Sequence, residues 1–265
     1  MEISNSIGYS QLGLYKSLFR GREDVHAKFW INPLQSKSGF APVYKLNHSV
    51  PLNNTVIASH LLGKEVIGIY PLQPDNTTYF LAIDFDKYNW LHESLLLQQI
   101  AEKYNLSSYL ERSKSGNGGH VWFFFEKNIP AWQTRQLGKL LLGKAGIFIH
   151  KSFDRMFPSQ DEHTGKGLGN LIVLPLQGKY LEQRNTAFVD QEGNALEDQW
   201  GYLQNIVKIS HEQVEQMLQR AIITISTSKT NSKTESIIES NENEEISIKT
   251  TSSPKVKLVH FSYII

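Results

Sequence analysis

Two aspartates alternate with apolar residues in Ile83-Asp84-Phe85-Asp86. Side chains alternate across a strand, so Asp84 and Asp86 share one face while Leu81, Ile83 and Phe85 share the other. Two carboxylates about 7 Å apart on a rigid strand repel each other unless a cation lies between them. Hard divalent ions such as Mg²⁺ or Mn²⁺ take oxygen donors and suit such a pair. Taken alone, the same pattern also describes solvated aspartates where a strand ends.

A second group follows in Ser113-Lys114-Ser115-Gly116-Asn117-Gly118-Gly119-His120. Its glycines let the backbone approach an anion closely, and successive amides can form an anion nest. Ser115 and Lys114 add a donor and a charge, and His120 opens the next strand where its ring could bond a phosphate. By itself the stretch is also an ordinary flexible loop before a buried strand. A third group is Ser152-Phe153-Asp154-Arg155, followed by Gly165-Lys166-Gly167-Leu168-Gly169-Asn170. An acid beside a base is most often a surface ion pair, and the glycines with Lys166 suit a phosphate-contacting loop.

The elements that must position these groups are legible from periodicity and turn residues. Residues 66–70 and 79–86 read as strands separated by the turn-like Gln73-Pro74-Asp75-Asn76. Residues 91–104 place Leu95, Leu96, Ile100 and Tyr104 near one helix face. A short strand is expected at 107–111, a loop at 113–119, a strong strand at 120–125 and a helix at 132–145. Further strands are expected at 171–176 and 186–189. Ser210 with Gln213 forms a capping-box start for a last helix carrying Val214, Met217, Leu218 and Ala221. Strands and helices mix without regular alternation, which predicts an α+β fold.

The bulk properties narrow the field. The chain has 265 residues, 40% hydrophobic and 11% aromatic, enough for a sizeable core. A net charge of +1 gives no global basic signature, although nucleic-acid footprints are local patches. The absence of cysteine excludes disulfides and cysteine-ligated zinc. No apolar run is long enough to span a membrane, and the N-terminus lacks a basic segment leading into an apolar one, so a cytoplasmic protein is expected. Thr224 to Ser253 is rich in Ser, Thr, Asn, Glu and Lys without an aromatic residue. It cannot bury enough apolar surface to offset its ordering entropy. The expected organisation is a folded domain over 10–222, a disordered linker over 223–255 and a short apolar segment at 256–265.

In combination the three groups are far more specific than apart. A strand with hDhD, a Gly-rich S-x-x-x-x-H leading into a strand, and a later h-D before another loop and strand resemble the three motifs of the archaeo-eukaryotic primase superfamily. The resemblance extends over roughly residues 18–205. The longer strings Phe19-Arg20-Gly21-Arg22-Glu23-Asp24, Gly68-Ile69-Tyr70-Pro71-Leu72, Glu111 to His120, Asp154 to Gln160 and Gly169 to Gln177 are similar to one branch, the primase domain of TOTE conflict systems. In these defence-type loci that domain is joined to a helicase.

The resemblance implies an RRM-like catalytic sheet over about 76–222, packed with an N-terminal α/β module over about 10–75. It implies that Asp84, Asp86 and Asp154 hold two divalent ions, Mg²⁺ or Mn²⁺. Ser115, Gly116, Asn117, Gly118 and His120 would then contact the phosphates of an incoming NTP or dNTP. Lys179, in Pro175-Leu176-Gln177-Gly178-Lys179, stands where the related ligase D polymerase domains carry a basic residue for the triphosphate. The implied activity is a DNA-directed primase–polymerase on a single-stranded DNA template with its primer, with Arg20, Arg22 and Lys28 gripping template phosphates. A helicase, in trans or in a missing C-terminal region, is the further partner implied; no membrane is. Many primases carry a cysteine-rich zinc element; with no cysteine here, initiation without a primer is in question while nucleotide addition is not. Two other readings stay open: a non-catalytic single-strand-binding module using Trp122 and Phe124 as exposed aromatics, although core packing is the commoner role for such residues, and a metal-dependent phosphoesterase using the same acids.

Overall fold

The two longest runs of β-branched and aromatic residues become the central strands of one antiparallel sheet. A computed structural model describes residues 7–148, 152–165 and 167–221. Lys166, the predicted linker 223–255 and the predicted apolar segment 256–265 lie outside the described residues. The central strands are β6 (Thr77–Asp86) and β8 (Gly118–Pro130), flanked by β7 (Tyr109–Arg112) and β9 (Phe153–Phe157) in the order β7-β8-β6-β9. Helix α3 (Trp90–Lys103) joins β6 to β7, and α4 (Ala131–Ala145) joins β8 to β9. This strand–helix–strand–strand–helix–strand unit, all antiparallel, is the RRM-like sheet.

Helices α3 and α4 cover one face through Leu81, Ile83, Phe85, Val121, Phe123, Leu97, Leu137 and Leu141. α4 lies close to β6 because Gly138 has no side chain: a Cβ there would sit 3.3 Å from Leu81 Cδ2 and from Met156 Sδ. The helix ends at Gly146, whose φ of 66° is the left-handed conformation that closes helices and that glycine adopts without strain.

The opposite face is buried as well. Phe80, Ala82, Trp122 and Phe124 pack on α1 (Tyr9–Leu18), α2 (Asn54–Leu61) and strand β5 (Ile67–Ile69). Phe19, at the end of α1, meets Trp122 and Phe124 edge-on at 5.2 and 5.5 Å between centroids. β5 belongs to a second sheet of order β10-β5-β1-β2, with β1 (Ala27–Asn32), β2 (Lys37–Pro42) and β10 (Ile172–Val173). The two-stranded β3 (Tyr44–Lys45) and β4 (His48–Ser49) extend beyond β2. The N-terminal sheet is thus completed by β10, a strand that follows the whole RRM-like sheet in the chain.

One expectation needs correction, and one open reading is decided. The strands predicted at 171–176 and 186–189 reduce to the short β10 and to isolated bridges at Phe188 and Val189. Leu176 and Thr186 adopt φ of 55° and 53°, which no continuous ladder tolerates. Instead Leu176 N–H donates to Thr186 O at 2.6 Å, and the chain forms α5 (Gly178–Leu181) and α6 (Gln199–Gln204) around that contact. A last helix, α7, runs over 211–221; the Ser210 amide donates to Gln213 Oε1 and the Gln213 amide to Ser210 Oγ, the reciprocal cap expected of that pair. Second, Trp122 and Phe124 are essentially without solvent exposure. The face an RRM would offer to nucleic acid is here covered by α1 and α2, so these aromatics are core and cannot stack on bases.

Candidate metal centre

Asp84 and Asp86 sit where β6 leaves the sheet, and cross-strand register supplies their neighbours. Asp84 is opposite His120 on β8 and Arg155 on β9, while His120 is opposite Glu111 on β7. Directly paired residues share a face, so Glu111, His120, Asp84 and Arg155 form one polar row across four strands. The next row inward, Tyr109, Trp122, Ala82 and Phe157, is apolar. The site therefore lies on the rim of the second core.

A β-bulge brings in the third acid. Asp84 pairs with Arg155, but the next residue Phe85 pairs with Phe153, leaving Asp154 as an extra residue on β9. Such a bulge re-aims a side chain. Phe153 stays on the face of Phe85, at 6.3 Å between rings, while Asp154 turns to the side of Asp84. Oxygens of Asp84, Asp86 and Asp154 all lie within 4.8 Å of one another. The start of β9 is pinned beside them: the Asp86 amide donates to Ser152 O at 2.8 Å, and the Ser152 amide and hydroxyl donate to the buried Glu93 carboxylate.

The charges are held under strain. Burial pushes the Asp84 carboxyl up to about 6 against the pull of His120, and Asp86 and Asp154 add to the rise. Burial disfavours a charged His120, yet the Glu111 and Asp84 carboxylates outweigh it and carry the imidazole up to about 9. His120 Nδ1 donates to Glu111 Oε2 at 2.6 Å, and its Nε2 faces Asp84 Oδ1 at 3.6 Å. Glu111, 1% exposed, also accepts from Trp122 Nε1 at 3.2 Å. Arg155 Nε donates to Asp154 Oδ2 at 2.6 Å, and that bond raises the guanidinium's already high pKa. Three convergent hard oxygen donors, one of them penalised for its charge, are the donor set a divalent cation of the Mg²⁺ or Mn²⁺ type relieves.

The glycines are required by close approach. A Cβ on Gly118 would fall 2.6 Å from both Asp86 Oδ1 and Phe85 O, and one on Gly119 would meet the Trp90 ring. Gly116 takes a φ of 78° at the loop's turn, where its amide donates to Ser113 O. Ser115 Oγ accepts from the Asn117 amide at 3.3 Å and lies 3.1 Å from Ser113 Oγ, so its hydroxyl is bonded inside the loop. Asn117 O in turn accepts from the Lys87 amide at 3.2 Å, tying the loop to the end of β6.

The remaining predicted residues lie elsewhere. Lys179 is exposed at the start of α5 and, among the described residues, forms no ion pair with the three acids. Its neighbour Tyr180 and Phe29 of β1 both flank the Lys114 ammonium, at 5.4 and 4.1 Å from their ring centroids. Arg20 stacks on Tyr79 at 3.7 Å, five residues back along β6 from Asp84, about 16 Å away at strand spacing. Arg22 makes a two-bond pair with Asp24, and Lys28 pairs with Glu65 at 2.5 Å. Sequence reasoning misses the buried role of Glu111 and the role of Lys114 as a tether to the first sheet. No local pattern marks Glu111, because its burial depends on β7 pairing with β8.

A family model for the archaeo-eukaryotic primase domain of TOTE conflict systems matches residues 10–217. Among solved structures, the polymerase domain of Mycobacterium tuberculosis ligase D in complex with DNA is similar at 12% identity, with a TM-score of 0.47, covering 80% of this chain and 86% of that one. The primase–polymerase domain of cyanophage S-2L is similar at 15% identity, with a TM-score of 0.32, covering 66% and 97%. No curated protein sequence matches. An RRM-like sheet with three acids on its rim defines a primase–polymerase type of domain. The chain belongs to the archaeo-eukaryotic primase domain family of TOTE conflict systems, whose members are nucleotidyltransferases. No helix among the described residues is long and apolar enough to cross a membrane.

Proposed function

We propose that this domain is a DNA-directed primase–polymerase that adds nucleotides from NTP or dNTP to a primer, or to an initiating nucleotide, on a single-stranded template. The observation that carries the reading is the convergence of Asp84, Asp86 and Asp154 oxygens within 4.8 Å beside the cationic His120. Asp84, Asp86 and Asp154 would hold two divalent ions, which supply an acidified attacking hydroxyl and charge compensation for the triphosphate. The 3′-oxygen forms a bond to the α-phosphorus, the bond to the pyrophosphate oxygen breaks, and the hydroxyl proton leaves to solvent.

The chain's own residues prepare that exchange. His120 presents Nε2–H beside Asp84, positioned to bond a phosphate oxygen, and Glu111 fixes the ring from behind. A preset donor of this kind needs no reorganisation as charge develops. Ser115, Gly116, Asn117 and Gly118 offer loop donors to the same phosphates once the Ser115 hydroxyl turns outward. Lys114 of the Gly-rich loop and Lys179 of α5 would supply charge for the β- and γ-phosphates. A phosphoesterase reading draws no comparable support, since the Gly-rich loop and His120 suit a triphosphate.

The test is incorporation of labelled nucleotides on primed and unprimed single-stranded DNA with Mg²⁺ or Mn²⁺, comparing the parent with Asp84→Ala. Loss of incorporation in a folded Asp84→Ala protein is expected, and the unprimed lane separates initiation from extension. Absence of incorporation by the parent with every metal and nucleotide would overturn the reading.

A further inference from the structure

Residues 25–64 contain no aspartate or glutamate but four lysines, Lys28, Lys37, Lys45 and Lys64, in a chain of net charge +1. Lys28 is neutralised by Glu65, whereas Lys37 and Lys45 are exposed and, among the described residues, have no ion-pair partner. The same segment displays aromatic surface, with Trp30 at 41% and Tyr44 at 56% exposure. On the β1–β2 hairpin, Trp30 is opposite Gly39 and Asn32 is opposite Lys37, so the indole and the Lys37 ammonium lie on one face, about 7 Å apart along a diagonal. Gly39 makes room for the ring: its absent Cβ would lie 3.4 Å from Trp30 Cζ2. The ladder continues past β2 through the Val43 amide bonded to His26 O, so Lys45, opposite His48, falls on the side of Lys37 while Tyr44 turns to the side of Phe40.

The other face of β1 meets the Gly-rich loop. Phe29 packs on Phe40 at 5.2 Å and carries Lys114 of the Gly-rich loop. One strand therefore has an inner side against that loop and an outer side bearing a flat ring among unpaired cations. An exposed ring that stacks any base, with unpaired cations on the same side to meet phosphates, is what a single-stranded nucleic acid requires. A folded acidic protein would satisfy the charges but leave the ring unstacked, and a duplex hides its bases.

We propose that the outer face of the β1–β2 hairpin and its continuation into β3, centred on Trp30, Lys37 and Lys45, binds single-stranded nucleic acid outside the metal centre. This replaces Arg22 and Lys28, both committed to carboxylates, as the gripping residues. The proposal deepens the primase–polymerase reading, yet its test needs no catalysis. Anisotropy of a labelled single-stranded oligonucleotide is titrated with the full chain in EDTA, without nucleotide, across a salt series. Trp30→Ala is expected to weaken binding on the order of tenfold, with Trp30→Phe restoring most of it. Lys37→Ala/Lys45→Ala is expected to flatten the slope of log K against log salt by about 1.4, two single-strand phosphate contacts. Asp84→Ala keeps the parent affinity, and unlabelled duplex competes poorly. Parent-like affinity and salt slope in both folded hairpin variants would overturn the proposal, as would equal competition by duplex. If the hairpins bind but the parent never incorporates nucleotide, the catalytic reading fails and this one stands.

Discussion

Gly118→Ala tests whether the Gly-rich loop serves the metal centre by yielding space to Asp86. The added Cβ would lie 2.6 Å from Asp86 Oδ1 and from the Phe85 carbonyl oxygen. Ordinary contact begins near 3.4 Å, so the carboxylate must retreat by about 0.8 Å. Ligand positions around a metal tolerate about 0.2 Å, and misplacement near 1 Å costs on the order of a hundredfold in rate. The expected outcome is a kcat for primer extension down by about 10²-fold, partly recovered at high Mn²⁺. Because Phe85 O is main chain, part of the crowding falls on the backbone, and about 1–3 kcal/mol of stability should go with it. Urea denaturation in EDTA measures that separately. The reasoning also predicts non-additivity: in an Asp86→Ala background, Gly118→Ala should cost little further activity. A folded Gly118→Ala protein within about twofold of the parent kcat would refute it.

The other perturbations address charge. Glu111→Gln keeps the volume but removes the carboxylate that holds His120 and Trp122; losing a charge-assisted bond predicts a rise in nucleotide KM on the order of tenfold, larger than the fall in kcat, in steady-state extension. Asp84 has a folded pKa of about 6, above its unfolded value, so the metal-free folded state keeps a proton that the unfolded chain releases. Its cost is absent at pH 4, grows as pH rises toward 6 and is complete above it. Asp84→Asn is therefore expected to be more stable than the parent by on the order of 2–3 kcal/mol at pH 7.5 in EDTA and equal to it at pH 4, by urea denaturation. By the same sign, Mn²⁺ affinity of the parent should fall as pH drops below about 6, followed by calorimetric titration. Trp122→Ala empties a fully buried site and should cost about 3–5 kcal/mol, read as a lowered urea midpoint.

How far the sequence carried can be seen residue by residue. Alternation alone puts Asp84 and Asp86 on one face, and the sheet keeps them there because the last residues of the ten-residue strand stay paired with β8, Asp84 with His120 and Asp86 with Gly118. Asp154 is different: regular alternation cannot place it and Arg155 on the same side, and the bulge that does so depends on how β9 registers against β6. Glu111 becomes a buried partner only when β7 pairs with β8, a contact across the loop that no local pattern announces. The strands predicted at 171–176 and 186–189 failed where apolar composition met left-handed backbone at Leu176 and Thr186. Arg20, Arg22 and Lys28 were chosen by charge sign, whereas Asp24, Glu65 and Tyr79 decide what those cations do.

The burial of both faces of the catalytic sheet has a consequence for how such a domain can change over time. An RRM that binds with its open face can trade one aromatic for another and drift in ligand. Here Phe80, Trp122 and Phe124 are tied to α1 and α2, so the sheet's polar groups are confined to one row and the acids beside it at the sheet's edge. Substitutions that alter substrate choice must then arise in the loops and hairpins around that row. The sheet beneath is free to vary only as any hydrophobic core does.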